Sequence, residues 1–311
     1  MIRLIHDTDT AQDDAFALMI GLRHPETRVE AVTINYGNIE FDQMVKNALY
    51  TIEVADLDYK VPVYKGCRLP LIVPHDDSSY VHGKDGFGDV GFPDPQQQPE
   101  SEHAVDALIR IINENPGEIS IVAQAPLTNI ATAVSMDRSL PEKVKHLYIM
   151  GGQSPYGPGN VTAAAEANFW HDPEAAKLVL QAGFKITILT WDLTMRQGRL
   201  SRKQLKEIED LKTPQSEFFT KANAVSVKYV EKTHGVEGST HPDSLAAAVA
   251  VNPDIITRAE EYFVDVEADS ELTRGYMFVD VVNRSGKQPN ARVVHEIDQE
   301  AFFQTILNSL R

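Results

Sequence analysis

Short apolar runs alternate with stretches of helical periodicity along most of the chain. The first run, Ile2-Arg3-Leu4-Ile5, reads as a buried strand, and the stretch beginning Ala15-Phe16-Ala17-Leu18 reads as a helix. Further strands are predicted at 29–34, 61–64, 119–123, 144–150 and 185–189, and in the tail near 261–266, 276–282 and 292–295. Helices are predicted over about 41–55, 103–115, 201–211 and 215–231. Others follow the turn at 125–129, start near His241 and close the chain from Gln299. Asp172-Pro173 opens one more, with Asp172 as N-cap and Pro173 at the first helical position. There is no internal repeat, low-complexity tract or linker-like boundary. The alternation predicts an α/β fold: a single domain over 1–311, with a mostly parallel central sheet flanked by helices.

Two segments break the rhythm. Residues 66–99 form a long polar loop carrying His75, His82, Gly83, Asp85, Gly86 and Gly88. Loops of that length inside a domain are usually functional, so an active-site flap is expected. Residues 153–165, rich in Gly, Pro and Ala, form a second irregular stretch.

Composition narrows the function classes. The 311 residues are 42% hydrophobic and 24% charged, an ordinary balance for a large buried core. The net charge of −16 argues against nucleic acid or an anionic membrane as partner and fits a neutral small molecule. Cys67 is the single cysteine, so no intrachain disulfide forms. No apolar stretch approaches transmembrane length, and no signal peptide is evident, so a cytoplasmic setting is expected.

The chemistry concentrates behind the first strand. Asp7, Asp9, Asp13 and Asp14 fall within eight residues, where α/β sheets place their ligands. Asp7 and Asp9 share one side of an extended backbone, and Asp13 and Asp14 sit in a helix's first turn. Carboxylates this close either stay partly protonated or share a cation. Oxygen ligands without cysteine or paired histidine suit Ca²⁺ or Mg²⁺ rather than zinc. Taken singly, each aspartate reads as a cap or a loop residue; all four together read as a site.

Further motifs follow in order: Gly37-Asn38, His82-Gly83-x-Asp85-Gly86, Pro126-Leu127-Thr128-Asn129-Ile130-Ala131, Met150-Gly151-Gly152, Ala165-Glu166-x-Asn168 with Asp172-Pro173-Glu174-Ala175-Ala176, and Asp243-x-x-Ala246. With Asp7-x-Asp9 and Asp13-Asp14, this series resembles the nucleoside hydrolase family, the inosine/uridine-type enzymes that cleave the N-glycosidic bond of ribonucleosides. The match runs to about residue 250 and less distinctly to the end.

The resemblance implies a Rossmann-like nucleoside hydrolase fold and a set of roles. Asp9, Asp14, Asp243 and the Thr128 carbonyl would bind Ca²⁺, and Asp9 would deprotonate a Ca²⁺-bound water. Asp13 and Asn168 would hold the ribose 2′-hydroxyl, Asn160 and Asp243 the 3′-hydroxyl, and Glu166 the 5′ side. Asn38 and His82 would lie near the base or the pocket mouth, with His82 the second catalytic candidate, and Asp7 would brace the site. The residue types suit the reaction. An oxocarbenium-like sugar needs negative charge around it, and a carboxylate base beside a cation delivers water. Polar recognition of ribose hydroxyls predicts that deoxyribosides react poorly. Homo-oligomers, tetramers or dimers, are usual in the family.

Two departures matter. Thr10-Ala11 stands where the family usually has Pro-Gly. Pro242 stands where many members place a histidine that protonates the leaving base, and His241 lies one residue earlier, so it is not assigned as the acid. Purine-preferring relatives lack that histidine and stack the base on aromatic rings. Purine nucleosides are therefore slightly favoured here, with Tyr80, Tyr229 and Trp191 as candidate stacking partners. Pyrimidine-preferring or non-specific hydrolysis is the alternative. Two other classes compete: a Mg²⁺-dependent haloacid-dehalogenase-like phosphatase using Asp7 and Asp9, and a non-catalytic Ca²⁺-dependent ribose-binding protein. The first leaves Asp13-Asp14, Glu166-x-Asn168 and Asp243 unexplained.

Overall fold

The structure, a computed structural model, describes residues 1–74 and 77–311; His75 lies outside the described residues. The first half of the chain forms β1 (Ile2–Thr8), α1 (Gln12–Arg23), β2 (Thr27–Ile34), α2 (Phe41–Ala55), β3 (Val63–Lys65), α3 (Ser79–His82), α4 (Ala104–Glu114), β4 (Ile119–Ala123), α5 (Thr128–Met136), α6 (Leu140–Lys143) and β5 (His146–Met150). The second half forms α7 (Ala167–His171), α8 (Pro173–Gln181), β6 (Ile186–Leu189), α9 (Trp191–Gln197), β7 (Arg199–Leu200), α10 (Arg202–Glu209), α11 (Pro214–His234), β8 (Ser239–Thr240), α12 (Pro242–Val251), β9 (Ile256–Tyr262), β10 (Val264–Val266), β11 (Met277–Val279), β12 (Ala291–Ile297) and α13 (Gln299–Ser309).

The central sheet has the order β3-β2-β1-β4-β5-β6-β12-β9, parallel except for β9 at one edge. Strand side chains alternate between two helical layers. Leu4 and Val122 point to one side, where they share a core with Phe16 and Leu18 of α1, Phe218 of α11 and Phe302 of α13. Ile5 and Ile121 point to the other, packing with Leu108 of α4, Ile130 of α5 and Val179 of α8. The parallel sheet with helices on both faces is therefore as the alternation predicts. β1 has β2 on one side and β4 on the other, so strand order reverses at its carboxyl end. Parallel sheets open a ligand crevice at such a reversal.

Local differences from the sequence reading have local causes. The long 66–99 loop contains the short helix α3. The expected strand at 261–266 is two strands in different sheets: β9 pairs with β12, and β10 turns away to pair with β11. Helix α9 and the short antiparallel β7–β8 pair, whose strands are joined through α10 and α11, were not predicted; α9 is a short helix that opens directly after β6. Among the described residues, no helix is long and apolar enough to cross a membrane.

Candidate active site

The site is built where α1 and α12 meet at the end of β1. Helix α1 has no side-chain cap at its N-cap residue Ala11. Instead the Asp14 carboxylate reaches back to accept the Ala11 N–H at 3.1 Å. Helix α12 starts with Pro242, which fixes the first turn and sets Asp243 in it. The alanines at 246, 247, 248 and 250 keep α12 slim, and both helices are buried. They bring Asp13, Asp14 and Asp243 together, with one carboxylate oxygen from each within 4.8 Å of the others.

Asp9 abuts this trio. Its Oδ2 accepts the Asn38 N–H at 3.0 Å, and its Oδ1 has no hydrogen-bond partner among the described residues. The Asn38 side-chain amide donates to the Asp9 carbonyl at 3.2 Å and to Asp14 Oδ2 at 3.0 Å. Asp14 Oδ1 accepts from the Thr8 hydroxyl at 2.8 Å and from the Gln124 amide at 3.1 Å. Asp13 Oδ1, like Asp9 Oδ1, is buried without a hydrogen-bond partner among the described residues.

Burial and mutual repulsion raise every carboxyl in the cluster. Burial, then the Asp14 and Asp13 charges, raises Asp9 well above the ordinary carboxylate range. Burial and the same two neighbours do so for Asp243. Burial pushes Asp13 up to about 6, and burial with the Asp13 charge pushes Asp14 up to about 6. Four facing carboxylates with two unpartnered buried oxygens form a hard-oxygen donor set that suits a divalent cation.

A cavity opens above the cluster. Its lining includes Asp13, Asp243, Asn38 and Gln124, together with Asn160, Glu166 and Asn168. Buried Glu166 caps α7 by accepting from the N–H groups of Asn168 at 2.9 Å and Phe169 at 3.3 Å, and it also accepts from Gly152 N–H at 2.8 Å. Burial pushes Glu166 up to about 7. Asn168 Nδ2 donates to the Met150 carbonyl at 3.1 Å, and Asn160 Oδ1 accepts from Ala167 N–H at 2.9 Å. On another side of the same cavity stand Tyr80 and His82 of α3, Trp191 of α9, and Tyr229 and His234 of α11. The His82 ring bonds Gln12 Oε1 at 2.8 Å and lies 3.8 Å from Asp13 Oδ1. Burial pushes its pKa down to about 4, so the ring is neutral at pH 7.

Most residues singled out from the sequence converge here, and three do not. Thr128 is outside the cavity lining. Its hydroxyl donates to Asp172 at 2.7 Å, and its carbonyl accepts from the Thr132 hydroxyl at 2.7 Å inside α5. The residue that approaches the cluster from β4 is Gln124, which the sequence reading missed. Asp7 is also outside; its Oδ1 accepts from Thr33 at 2.6 Å and Asn129 at 2.8 Å, tying β1 to β2 and α5. A phosphatase nucleophile at that position would be sealed from substrate. His241 faces away from the cavity, stacked on Phe219 at 5.5 Å with Nε2 on the Ser239 hydroxyl at 2.7 Å.

A doubly covered parallel sheet with carboxylates gathered at its switch point defines an α/β enzyme with a cation-compatible, polar pocket. The sequence profile described as inosine-uridine preferring nucleoside hydrolase matches residues 4–304. A pyrimidine-specific ribonucleoside hydrolase RihB of Escherichia coli (strain SE11) is 30% identical over 309 residues, covering 99% of this chain and 97% of that protein. Among solved structures, a plant nucleoside hydrolase, PpNRh1, superposes with TM-score 0.92 at 30% identity, covering 99% of this chain and 98% of the other. A purine-preferring ribonucleoside hydrolase from Gardnerella vaginalis superposes with TM-score 0.91 at 30% identity and the same coverage. The chain belongs to the nucleoside hydrolase family. It is a nucleoside N-ribohydrolase, an enzyme that splits ribonucleosides into ribose and free base.

Proposed function

We propose that this enzyme uses a bound Ca²⁺ held by Asp9, Asp14 and Asp243, with Asp13 at the edge of the same cluster. The observation that carries this is the convergence of Asp13, Asp14 and Asp243, with Asp9 beside them and two of the four carboxylates carrying an unpartnered oxygen, next to a cavity that Asp13 and Asp243 line. When bound, the cation neutralises the cluster and lowers the pKa of water at the site. Asp9, whose Oδ1 is unpartnered, takes a proton from water as the water oxygen bonds to the anomeric carbon, and the C1′–N bond breaks with its electron pair leaving on the base, which takes up a proton. The negative cluster stabilises the positive charge that develops on the sugar. Asp13 and Asn168 hold the 2′-hydroxyl, Asn160 and Asp243 the 3′-hydroxyl, and Glu166 the 5′ side. Asn38 fixes Asp9 and Asp14 through its backbone and side-chain N–H groups.

Base preference follows from the opposite wall. Tyr80, Trp191 and Tyr229 line the cavity together with His82 and His234, while Pro242 and the turned-away His241 leave no imidazole directly before Asp243. We read this as a stacking pocket that favours purine nucleosides. The resemblance to a pyrimidine-specific enzyme makes pyrimidine preference the competing reading. Reducing-sugar release from inosine, adenosine, cytidine and uridine separates them. Inosine or adenosine ahead supports the stacking wall, and cytidine or uridine ahead overturns it.

The same reading takes the working enzyme to be a homo-oligomer. Leu69, Leu71 and Ile72 expose apolar side chains within one short segment, the kind of surface that subunit contacts cover. Light scattering tests this, and a monomer at micromolar concentration contradicts it.

A further inference from the structure

Below the acidic cluster lies a buried imidazole that the reaction as described does not use. His6 sits on β1 with no exposed surface. Its Nδ1 lies 2.9 Å from Gln124 Oε1, and its Nε2 has no hydrogen-bond partner among the described residues. Gln124 in turn places Nε2 3.1 Å from Asp14 Oδ1 and 3.1 Å from the Asp14 carbonyl oxygen.

The chemistry of the three groups fixes every proton in this chain. The Asp14 carbonyl only accepts, and so does its carboxylate when ionised. The end of Gln124 that faces them must therefore be the NH₂ group. Its Oε1 must then face His6, so the proton of the ring is on Nδ1 and Nε2 is bare. A bare Nε2 leaves one buried acceptor without a donor, a smaller mismatch than a buried N–H with no acceptor would be. Gly21 completes the fit: a Cβ at that position would lie 2.3 Å from Nε2.

Two Asp14 oxygens hold the nitrogen end of the Gln124 amide, and the His6 N–H holds its oxygen end, so the ring is the partner that fixes the amide from the other side. Rotation by a half-turn would set its oxygen against two oxygens of Asp14. The Asp14 carboxylate now has four donors, from Thr8, Gln124, Ala11 and Asn38, and loses one of them in that event. We propose that His6 is a positioning residue. Its neutral Nδ1–H locks the Gln124 amide, and the locked amide orients Asp14 to receive a hard divalent cation. This deepens the cation reading above and rests on it for the last link only. Groups that orient a metal ligand commonly change cation affinity by about 10- to 100-fold when removed.

The test has two arms, both on the full chain. In the first, ¹⁵N NMR of histidine-labelled, cation-free protein reads the ring tautomer; the His6 signal is the one missing in His6→Asn. A protonated Nδ1 and bare Nε2 from pH 6 to 8, giving way to mixed tautomers in Gln124→Leu, is the expected result. A protonated Nε2, or a signal indifferent to Gln124→Leu, overturns the relay. In the second, calorimetry measures Ca²⁺ binding. His6→Leu should weaken it about tenfold. His6→Asn, whose amide N–H reaches the same place as Nδ1–H, should stay within about threefold. His6→Leu added to Gln124→Leu should cost nothing more, because the two act in series. Additive losses, or a lowered melting temperature with Ca²⁺ affinity unchanged in both His6 variants, overturn the proposal. If the wild type binds neither Ca²⁺ nor Mg²⁺, the cation reading falls, and the tautomer arm alone decides the role of His6.

Discussion

The Oδ2 atom of Asp9 rests against the backbone of Asn38, 3.0 Å from its amide nitrogen, in the space that a side chain at Gly37 would occupy. A Cβ added at Gly37 would lie 1.8 Å from that oxygen. The added methyl also meets Cγ and Cβ of Asp9, at 2.7 and 2.9 Å, so Gly37→Ala displaces the whole Asp9 side chain. A shift of about 1 Å in a reacting group costs on the order of 100-fold in rate. Gly37→Ala should lower kcat by that order with a melting temperature within a few degrees of wild type. Wild-type turnover in this variant would show that the position of Asp9 is not critical.

Asp9→Asn separates catalysis from stability. Burial and the Asp14 and Asp13 charges all disfavour the ionised form of Asp9. An amide at this position removes that conflict. Turnover should fall by about 10²- to 10⁴-fold, the usual worth of a general base. In the cation-free protein the melting temperature should rise. A parallel loss of activity and stability would assign Asp9 a structural role.

The carboxylate cluster also predicts how stability responds to pH. Asp13 and Asp14 are pushed up to about 6, and Asp9 and Asp243 are raised further by burial and repulsion. An acid whose pKa is raised on folding favours the fold while protonated. That contribution is complete below the unfolded value, about 4, and is lost as pH rises through the folded value. The cation-free protein should lose stability on this account between about pH 4 and 7. Added Ca²⁺ should raise the melting temperature by several degrees at pH 7.5 and have little effect at pH 4.5. Differential scanning fluorimetry at the two pH values reads this directly, and an equal shift at both would separate cation binding from these carboxylates.

Tyr229 tests the aromatic wall. It is part-exposed on α11 and lines the cavity, its ring 6.1 Å from that of His234. Tyr229→Ala should raise KM for inosine by about 5- to 30-fold, the range expected from losing one base–aromatic stack of about 1–2 kcal/mol. Uridine, with its smaller ring, should be affected less. Equal effects on both would remove Tyr229 from base recognition.

Much of this was legible in the sequence because it is local. A turn and a helix start hold Asp9, Asp13 and Asp14 within six residues, so their convergence is local; Asp243 joins them only through the packing of α12 on α1, and Asp7, in the same stretch, braces β1 instead. The displacement of His241 was legible for the same reason: Pro242 fixes the start of α12, and a one-residue shift there turns a side chain by about 100°. Thr128 and Gln124 show the limit. Which residue after β4 faces the site is set by the register with β1, where Asp7 pairs with Ala123, so Gln124 is the next residue along. Nothing in the motif Pro126-Leu127-Thr128-Asn129 encodes that register. The tail shows the same limit, since the break between β9 and β10 is a change of pairing partner across a continuous run of strand-forming residues.

The most direct test of the whole account is ribose release from inosine by the purified enzyme, before and after chelation and after Ca²⁺ is restored. The account predicts steady release that stops on chelation and returns with Ca²⁺. Undiminished release in the presence of chelator would contradict it, and would make the four buried carboxylates a structural cluster rather than the seat of a catalytic cation.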